Sequence, residues 1–361
     1  MARLQVGNRW AHDGANVDGL QWRHGADGGC LTASWRLDRS ASNLRPPGFR
    51  TGAPVEIYEG RQRVWFGTLD QPGRADVDFT ATGLLAQSRK FMAVDGSGDP
   101  TDSADLAIET AIGNGLLLDY AGDAPANEVP SEKPLRLDEL IGTHATANGV
   151  RATVRGDRLL RWESDPTTPR YVILPGTVPA PRPADEEFAT TVIVRYVSSV
   201  SGSPPVADGF TNAEATDADA EAIHGRREVF IDITDRGYLT ATEAGWIADG
   251  ILTKYGVRYS FADSVTVTGR DLLRGSSPVN LATVDAGHMV RFLGVRDPSS
   301  VGGSGDFDVI VGATDYTDGS GVITLSPLGL VPRTLADVIA SVPTIHTALN
   351  PMPGAGAVAG S

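Results

Sequence analysis

The feature that most limits the fold is a spacing that occurs twice. Gly52, Val55 and Ile57 recur as Gly287, Val290 and Phe292; the run Val64 to Gly67 recurs as Val309 to Gly312, and Val77 to Thr80 as Val322 to Leu325. The first pair is offset by 235 positions and the other two by 245, so the second copy carries ten additional residues between its first two strands. They fall in Arg296–Gly305, a stretch rich in Ser and Gly that reads as loop. Duplication of a small β-meander leaves this pattern, because surface loops accept insertions and strand ladders do not. The competing explanation is chance, since apolar strands that alternate around glycine are common.

At 361 residues the chain has room for two to three domains of ordinary size. Its 42 glycines and 23 prolines imply many turns, and therefore many short strands. Cys30 is the only cysteine, which excludes an intrachain disulfide. It lies in the strand-like run Cys30–Leu37 and reads as a small buried hydrophobe rather than a nucleophile. The first residues, Met1 to Gly7, lack an apolar signal segment, and nothing approaches the ~20 apolar residues of a membrane span. The expectation is a soluble chain without its own secretion signal. A net charge of −14 repels phosphate backbones, so a dedicated nucleic-acid binder is disfavoured. The same charge serves solubility, or lets DNA pass close by without sticking.

From Leu20 to about Phe91 the pattern is strand and turn, with strands at Pro54–Tyr58 and Arg63–Leu69 and an alternation through Val77, Phe79 and Ala81. Asp95–Pro100 reads as a linker. Asp102 is placed to cap a helix presenting Leu106, Ile108, Ala111 and Ile112. A second helix begins near Leu135, buries Leu137, Leu140 and Ile141, and ends near Asn148 and Gly149. Arg151–Val154 and Arg158–Trp162 then form a hairpin. Thr190–Val197 reads as a strand after the proline-rich stretch Pro175–Pro183. Ser198–Asp219 has too few large apolar residues for a core and reads as an exposed loop. Glu228–Ile233 is again strand. Thr240 and Glu243 then form a capping box before a helix that carries Ala244, Ile247, Ala248, Ile251, Leu252 and Tyr255 at helical spacing and stops at Gly256. Tyr259–Thr268 leads into the second meander. The implied division is 1–94 for the first β domain, 95–167 for a small α+β domain and 168–258 for a strand-plus-helix domain or an extension of the second β domain. The second meander takes 259–342, and 343–361 is a flexible tail.

The search for chemistry returns no constellation. His12, His24, His144, His224, His288 and His346 are scattered, without an i+4 histidine or a neighbouring cysteine to complete a zinc site. Asp315–Gly321 superficially resembles a calcium loop, but lacks the spaced carboxylates and is better explained as a hairpin turn. Asp217, Asp219 and Glu221 could gather a cation, although a solvated loop accounts for them more simply. No nucleophile elbow, phosphate loop or dinucleotide fingerprint is present. The expectation is therefore no catalytic, cofactor-binding or metal-binding residues, and no enzyme activity. Trp22, Trp35, Trp65, Trp162 and Trp246 fall in strand or helix patterns that suggest core positions, which argues against a carbohydrate binder; Trp10 has no assigned place.

The succession of segments resembles the hub, or tail-tip, proteins of tailed bacteriophages, the minor tail protein family. The resemblance rests on Val55–Leu69, the helix and hairpin of Leu135–Trp162, Val192–Tyr196 followed by the Thr240–Tyr255 helix, and Ala286–Phe292. It implies a mainly β fold with α+β insertions: two tail-tube-like β-barrel or sandwich domains separated by a small α+β domain. It further implies a structural virion protein at the tail tip, assembled in the host cytoplasm. Such a baseplate hub is a homotrimer that adapts a sixfold tube to threefold tip components and forms part of the DNA channel. The strands flanking Gly67 and Gly312 would line that channel or pair with neighbours, beside an acidic wall. Its implied partners are its own copies, a tail-tube or distal-tail ring protein, tip or fibre proteins and a tape-measure protein. The alternatives are a receptor- or carbohydrate-binding tail protein and a distal-tail protein of a single ring.

Overall fold

The computed structural model describes residues 2–11, 17–37, 49–71, 78–128, 134–174, 189–202, 206–234, 237–255, 264–294 and 306–328. The chain opens as β1 (Arg3–Val6), β2 (Arg9–Trp10), β3 (Val17–Gly25), β4 (Gly28–Leu37), β5 (Pro54–Glu59), β6 (Gln62–Leu69) and β7 (Asp78–Gly83). Period-two alternation decides what each strand buries. Val55, Ile57, Phe79, Ala81, Trp22 and Trp35 enter one core, while Thr32, Arg36 and Thr80 stay outside. Trp10 lies beneath the Arg3 guanidinium, 3.9 Å from its ring centre, and meets Tyr58 edge-on.

The next elements are α1 (Leu84–Gln87), α2 (Ala104–Gly113), α3 (Leu137–Ala147) and the hairpin β8 (Arg151–Val154) and β9 (Leu160–Glu163). Leu84 and Ala93 already belong to this second core. The Asp95–Pro100 stretch, expected as a linker, is a tight turn: Asp95 accepts from the Ser97 and Asp99 amides, and Val94 bridges Pro100. Two helix details differ from expectation. Ser103, not Asp102, is the N-cap of α2, and Leu106 faces outward at 49% exposure because the packed stripe is Ala104, Ala107, Ile108 and Ala111. Small alanines let α2 approach its neighbours closely, so the stripe is set by fit rather than by the largest side chain. Helix α3 buries Leu137, Leu140 and Ile141 as expected, and the Arg136 amide donates to Glu139.

β10 (Tyr171–Ile173), β11 (Thr191–Ser201), β12 (Val206–Thr216), α4 (Ala218–His224), β13 (Glu228–Asp232) and α5 (Ala241–Tyr255) follow. Here the expected Ser198–Asp219 loop is overturned. β12 pairs with β11 antiparallel from Thr191↔Thr216 to Ser201↔Val206, and α4 follows at once with Asp217 as its cap. Among its described side chains Ala215 is buried and Ala213 partly so, both packed with the core beneath α5, so the strand is held by its ladder and carries little hydrophobic signal. The capping box of α5 is present: the Thr240 amide donates to Glu243 at 2.7 Å and the Glu243 amide to the Thr240 hydroxyl at 3.3 Å. A Cβ on Gly250 would lie 1.8 Å from the Thr146 carbonyl, so α5 crosses α3 where only glycine fits. Gly256, Tyr259–Ala262 and Pro175–Pro183 lie outside the described residues.

The last group is β14 (Val265–Thr268), β15 (Leu272–Arg274), β16 (Ser277–Pro278), β17 (Met289–Leu293), β18 (Asp306–Thr317) and β19 (Val322–Pro327). Its sheet runs β14-β19-β18-β17 and the first runs β4-β7-β6-β5, with every neighbour antiparallel in both. The entry turns also agree. Gly52 and Gly287 both adopt the left-handed region, at φ +77° and +85°, and donate to Leu69 and Val311, which donate back to Ala53 and His288. Val55 and Val290 are both buried, each in its own core.

Register corrects one part of the sequence match. Val55 faces Gly67, whereas Val290 faces Val309, so Gly312 is not the pairing equivalent of Gly67. The glycines share a role instead. A Cβ on Gly67 would lie 2.3 Å from the Thr82 carbonyl and one on Gly312 2.4 Å from that of Pro327, where the third strand of each meander closes in. Two residues connect β5 to β6 and twelve connect β17 to β18, though the course of 295–305 lies outside the described residues, as do Val77 and the tail 343–361. The copies diverge at the fifth strand, which is β1, antiparallel to β5, in one and β10, parallel to β17, in the other.

Candidate assembly surface

The two meanders form one continuous sheet because β18 outruns β17 and pairs with β3, from Ala313↔Gly25 to Thr317↔Gln21. The resulting order, β14-β19-β18-β3-β4-β7, is six strands wide and drawn from both copies. Directly paired residues share a face, so a single row crosses it: Thr266, Thr324, Asp315, Arg23, Thr32 and Thr82. Ser264, Ser326, Thr317, Gln21, Ser34 and Thr80 flank that row on the same side. The opposite side buries Val267, Ile323, Leu325, Trp22, Trp35 and Phe79.

This outer face is made mainly of hydroxyls. Arg23 lies 3.7 Å from Asp315 and Arg36 4.0 Å from Asp78, and two further carboxylates stand on the same side, Asp18 opposite Arg36 and Asp70, which accepts from the Thr82 hydroxyl. A polar cleft of about 220 Å³ opens on it between Arg23, Ser34, Asp315, Ser320 and Thr324.

Behind the face, the joint between the meanders and the β8–β9 hairpin holds a buried polar cluster. Arg151, 5% exposed, donates to the carbonyls of Gly287 and Ser164 and lies 3.2 Å from Asp165. His24 approaches the Val64 carbonyl at 3.0 Å and Asp285 at 3.6 Å. Burial lowers its pKa, against the pull of Asp285. Arg170 donates to His288 Nε2 at 2.5 Å, which requires a neutral ring accepting at that nitrogen. Burial, then the charges of Arg155, Arg170, Arg151 and Arg274, pushes His288 down to about 3. These groups hold three parts of the chain in one geometry. Sequence spacing could not have shown them together, since the contacts of Arg151 with Gly287, of Arg170 with His288 and of His24 with Asp285 each span more than a hundred positions.

The residues singled out in the sequence are dispersed. His144 is fully buried, with Nε2 2.9 Å from the Asp102 carbonyl. His12, His346 and the His224 side chain lie outside the described residues. Cys30 is buried, its thiol pKa pushed well up by that burial, and its carbonyl sits where a Cβ on Gly83 would be. Asp315 belongs to β18, and the turn after it uses Gly319 and Gly321 at positive φ while Asp318 accepts from the Ala2 amide. Asp217 caps α4 by accepting from the Ala220 amide, with Asp219 and Glu221 in the first turn. Among the described residues no three metal-ligating side chains cluster, and no helix is long and apolar enough to cross a membrane. Trp22, Trp35 and Trp65 are buried, whereas Trp162 and Trp246 are half-buried.

No family model matches the chain, and no curated protein matches its sequence. Solved structures do. The 43 kDa tail protein of prophage MuSo2 from Shewanella oneidensis superposes with a TM-score of 0.59 at 16% identity, over 90% of this chain and 97% of that one. Prophage tail protein gp18 from Listeria monocytogenes gives 0.54 at 13%, over 95% and 98%. A tail protein from Neisseria meningitidis also gives 0.54 at 13%, over the same shares. The mainly β architecture is thus that of phage tail proteins along almost its whole length.

Proposed function

We propose that this chain is a structural component of the distal end of a phage tail, a homotrimeric hub that adapts a sixfold tube to threefold tip components. The observation that carries this reading is the pair of meanders of equal strand order fused into one sheet. Three chains then offer six similar β modules to a sixfold neighbour and three copies of everything else. The hydroxyl-rich face forms part of the DNA channel. With its cations already paired, it gives a phosphate backbone no cluster to grip, and so lets DNA slide. The partners are a tail-tube or distal-tail ring protein on one side and tip, fibre or tape-measure proteins on the other. The location is the virion, after assembly in the host cytoplasm. The role needs no catalysis and no metal.

A reconstruction of the particle tests this, with three copies expected in one ring at the tail tip; six copies in a ring would sink it. One observation favours receptor or protein binding as a second role. Phe210, Phe230 and Tyr238, at 51%, 47% and 36% exposure, are carried by the β12-β11-β13 sheet and the bridge beside it, with the Arg195 guanidinium 5.4 Å from the Phe210 ring centre, a composition suited to an interface.

A further inference from the structure

Among the described residues the three most exposed aromatic side chains, Phe210, Phe230 and Tyr238, belong to the β12-β11-β13 sheet and the bridge beside it. The inner face of that sheet, with Val192, Val194, Tyr196 and Ile231, packs beneath α5. Directly paired residues share a face, so the outer one is read in rows. One row is Phe230, Ile193 and Glu214, the next is Asp232, Arg195 and Asn212, and the third is Tyr238, Val197 and Phe210. Rings therefore stand on both sides of a polar row. The two ring-bearing rows are four residues apart along β11, about 13 Å at the rise of a strand.

The polar row keeps its hydrogen-bonding capacity. Arg195 lies 3.8 Å from Asp232, beyond hydrogen-bond distance, with its guanidinium 5.4 Å from the Phe210 ring centre. Asp232 spends Oδ1 on the amide and hydroxyl of Thr234, while Oδ2 is the oxygen nearest Arg195. Asn212 stands exposed at the end of the row. Farther along, Arg226 is held between Glu214 at 2.9 Å and Glu228 at 2.6 Å.

Whatever covers this face must meet donors and acceptors at the centre and offer apolar surface on either side. The core of a protein interface has the reverse order, with charge depleted at the centre and kept to the rim. A phosphate backbone finds no cationic cluster, because Arg195 and Arg226 already face carboxylates. A saccharide has the matching chemistry. Its hydroxyls donate and accept at once, where Arg195 donates, Asp232 accepts and Asn212 does both. Its ring C–H bonds suit the negative face of an aromatic side chain.

We propose that this face binds an uncharged oligosaccharide of the host cell surface, laid along β11 with sugar rings against the aromatic side chains and hydroxyls on the polar row. The inference rests on the second role in the proposed function and names its ligand. The span between the ring-bearing rows fits several linked sugars rather than one. An acidic sugar placed over Arg195 would meet the Asp232 carboxylate beside it, so the ligand is uncharged.

The test is binding of the purified full chain to immobilised uncharged oligosaccharides of glucose, galactose, rhamnose and N-acetylglucosamine, beside uronic-acid and phosphorylated counterparts. Hydroxyl-radical footprinting of Phe210, Phe230 and Tyr238, in the free chain and in assembled tails, accompanies it. The variants are Phe210→Ala with Phe230→Ala, and separately Arg195→Leu; Leu106→Ala removes an exposed apolar side chain on α2 as the control. Thermal melts check that all three fold. The expected result is an uncharged glycan bound by wild type and control alike, binding weakened about tenfold or more in both other variants, and rings that stay open to the radical in the tail. Glycan binding unchanged in both variants lies elsewhere and overturns the proposal, as does stronger retention of the acidic counterparts. Rings protected in assembled tails show a protein covering the face, which overturns the glycan and leaves the second role standing as protein binding. No glycan bound and rings open in the tail overturn both the glycan and that role.

Discussion

In the first meander the core is aromatic, with Trp35 stacked on Phe79 at 5.9 Å, Phe49 edge-on to Phe79, and Trp22 and Trp65 buried around them. In the second it is mostly aliphatic, built from Val265, Val267, Val290, Val309, Ile323 and Leu325 around Phe292 and Phe307. The strand order and entry glycine are nevertheless the same. A ladder needs backbone partners and one apolar face, and either filling supplies that face, provided each core is packed to its own shape. Where the copies differ in length, the difference has a use. β18 runs past its partner β17 to Thr317, and that overhang is what captures β3 and joins the halves.

The largest expected contrast comes from truncating the fully buried Trp65 to Ala. It should cost roughly 3–5 kcal/mol in denaturant unfolding, since a large ring leaves a cavity that a rigid sheet cannot close. A loss below about 1 kcal/mol would show that the aromatic core is not tightly packed.

Acid should act on the second copy's side of the joint. His288 stays neutral in the folded chain down to about 3, while an unfolded histidine takes a proton below its ordinary 6.5. The unfolded state therefore binds more protons in this window, and the stability present above pH 6.5 is lost progressively as pH falls toward 3. His24, also depressed, adds in the same direction. Unfolding free energy followed against pH should slope this way and flatten in His288→Gln; an unchanged slope would assign the acid sensitivity elsewhere.

Gly67→Ala and Gly312→Ala put a methyl against a backbone carbonyl in each meander, and each should cost about 3 kcal/mol, the upper end of overpacking. If Gly312→Ala is tolerated and Gly67→Ala is not, the shared role of the two glycines is wrong. The smallest effect is expected from Val55→Ala and Val290→Ala, roughly 1–3 kcal/mol each by transfer and cavity terms. Equal losses in parallel urea titrations sharpen the equivalence of the copies. Costs that differ by more than about 1.5 kcal/mol would break it.

Much of the local structure was written in the chain. Thr240 with Glu243 announces α5, Leu137, Leu140 and Ile141 mark the buried stripe of α3, and the alternation through Val55, Ile57, Phe79 and Ala81 assigns the inner faces of their strands. These signals are local, because capping and periodicity depend on neighbours a few positions apart. β12 was not legible, since alanines at 213 and 215 are enough under a helix but too small to stand out in a pattern. The register of the second meander was also hidden: matching glycines pointed to Gly312, while the backbone pairs Val290 with Val309. Nor could spacing show that His24, Arg151, Asp285 and His288 share one buried joint, or that Thr32 and Thr324 lie on one polar face. Those depend on β18 reaching β3 across nearly three hundred residues, and a pairing that distant is chosen by the whole packed structure rather than by any segment of it. The sequence by itself determined the repeated unit and its helices; the tertiary structure alone decided that the two copies would become a single sheet.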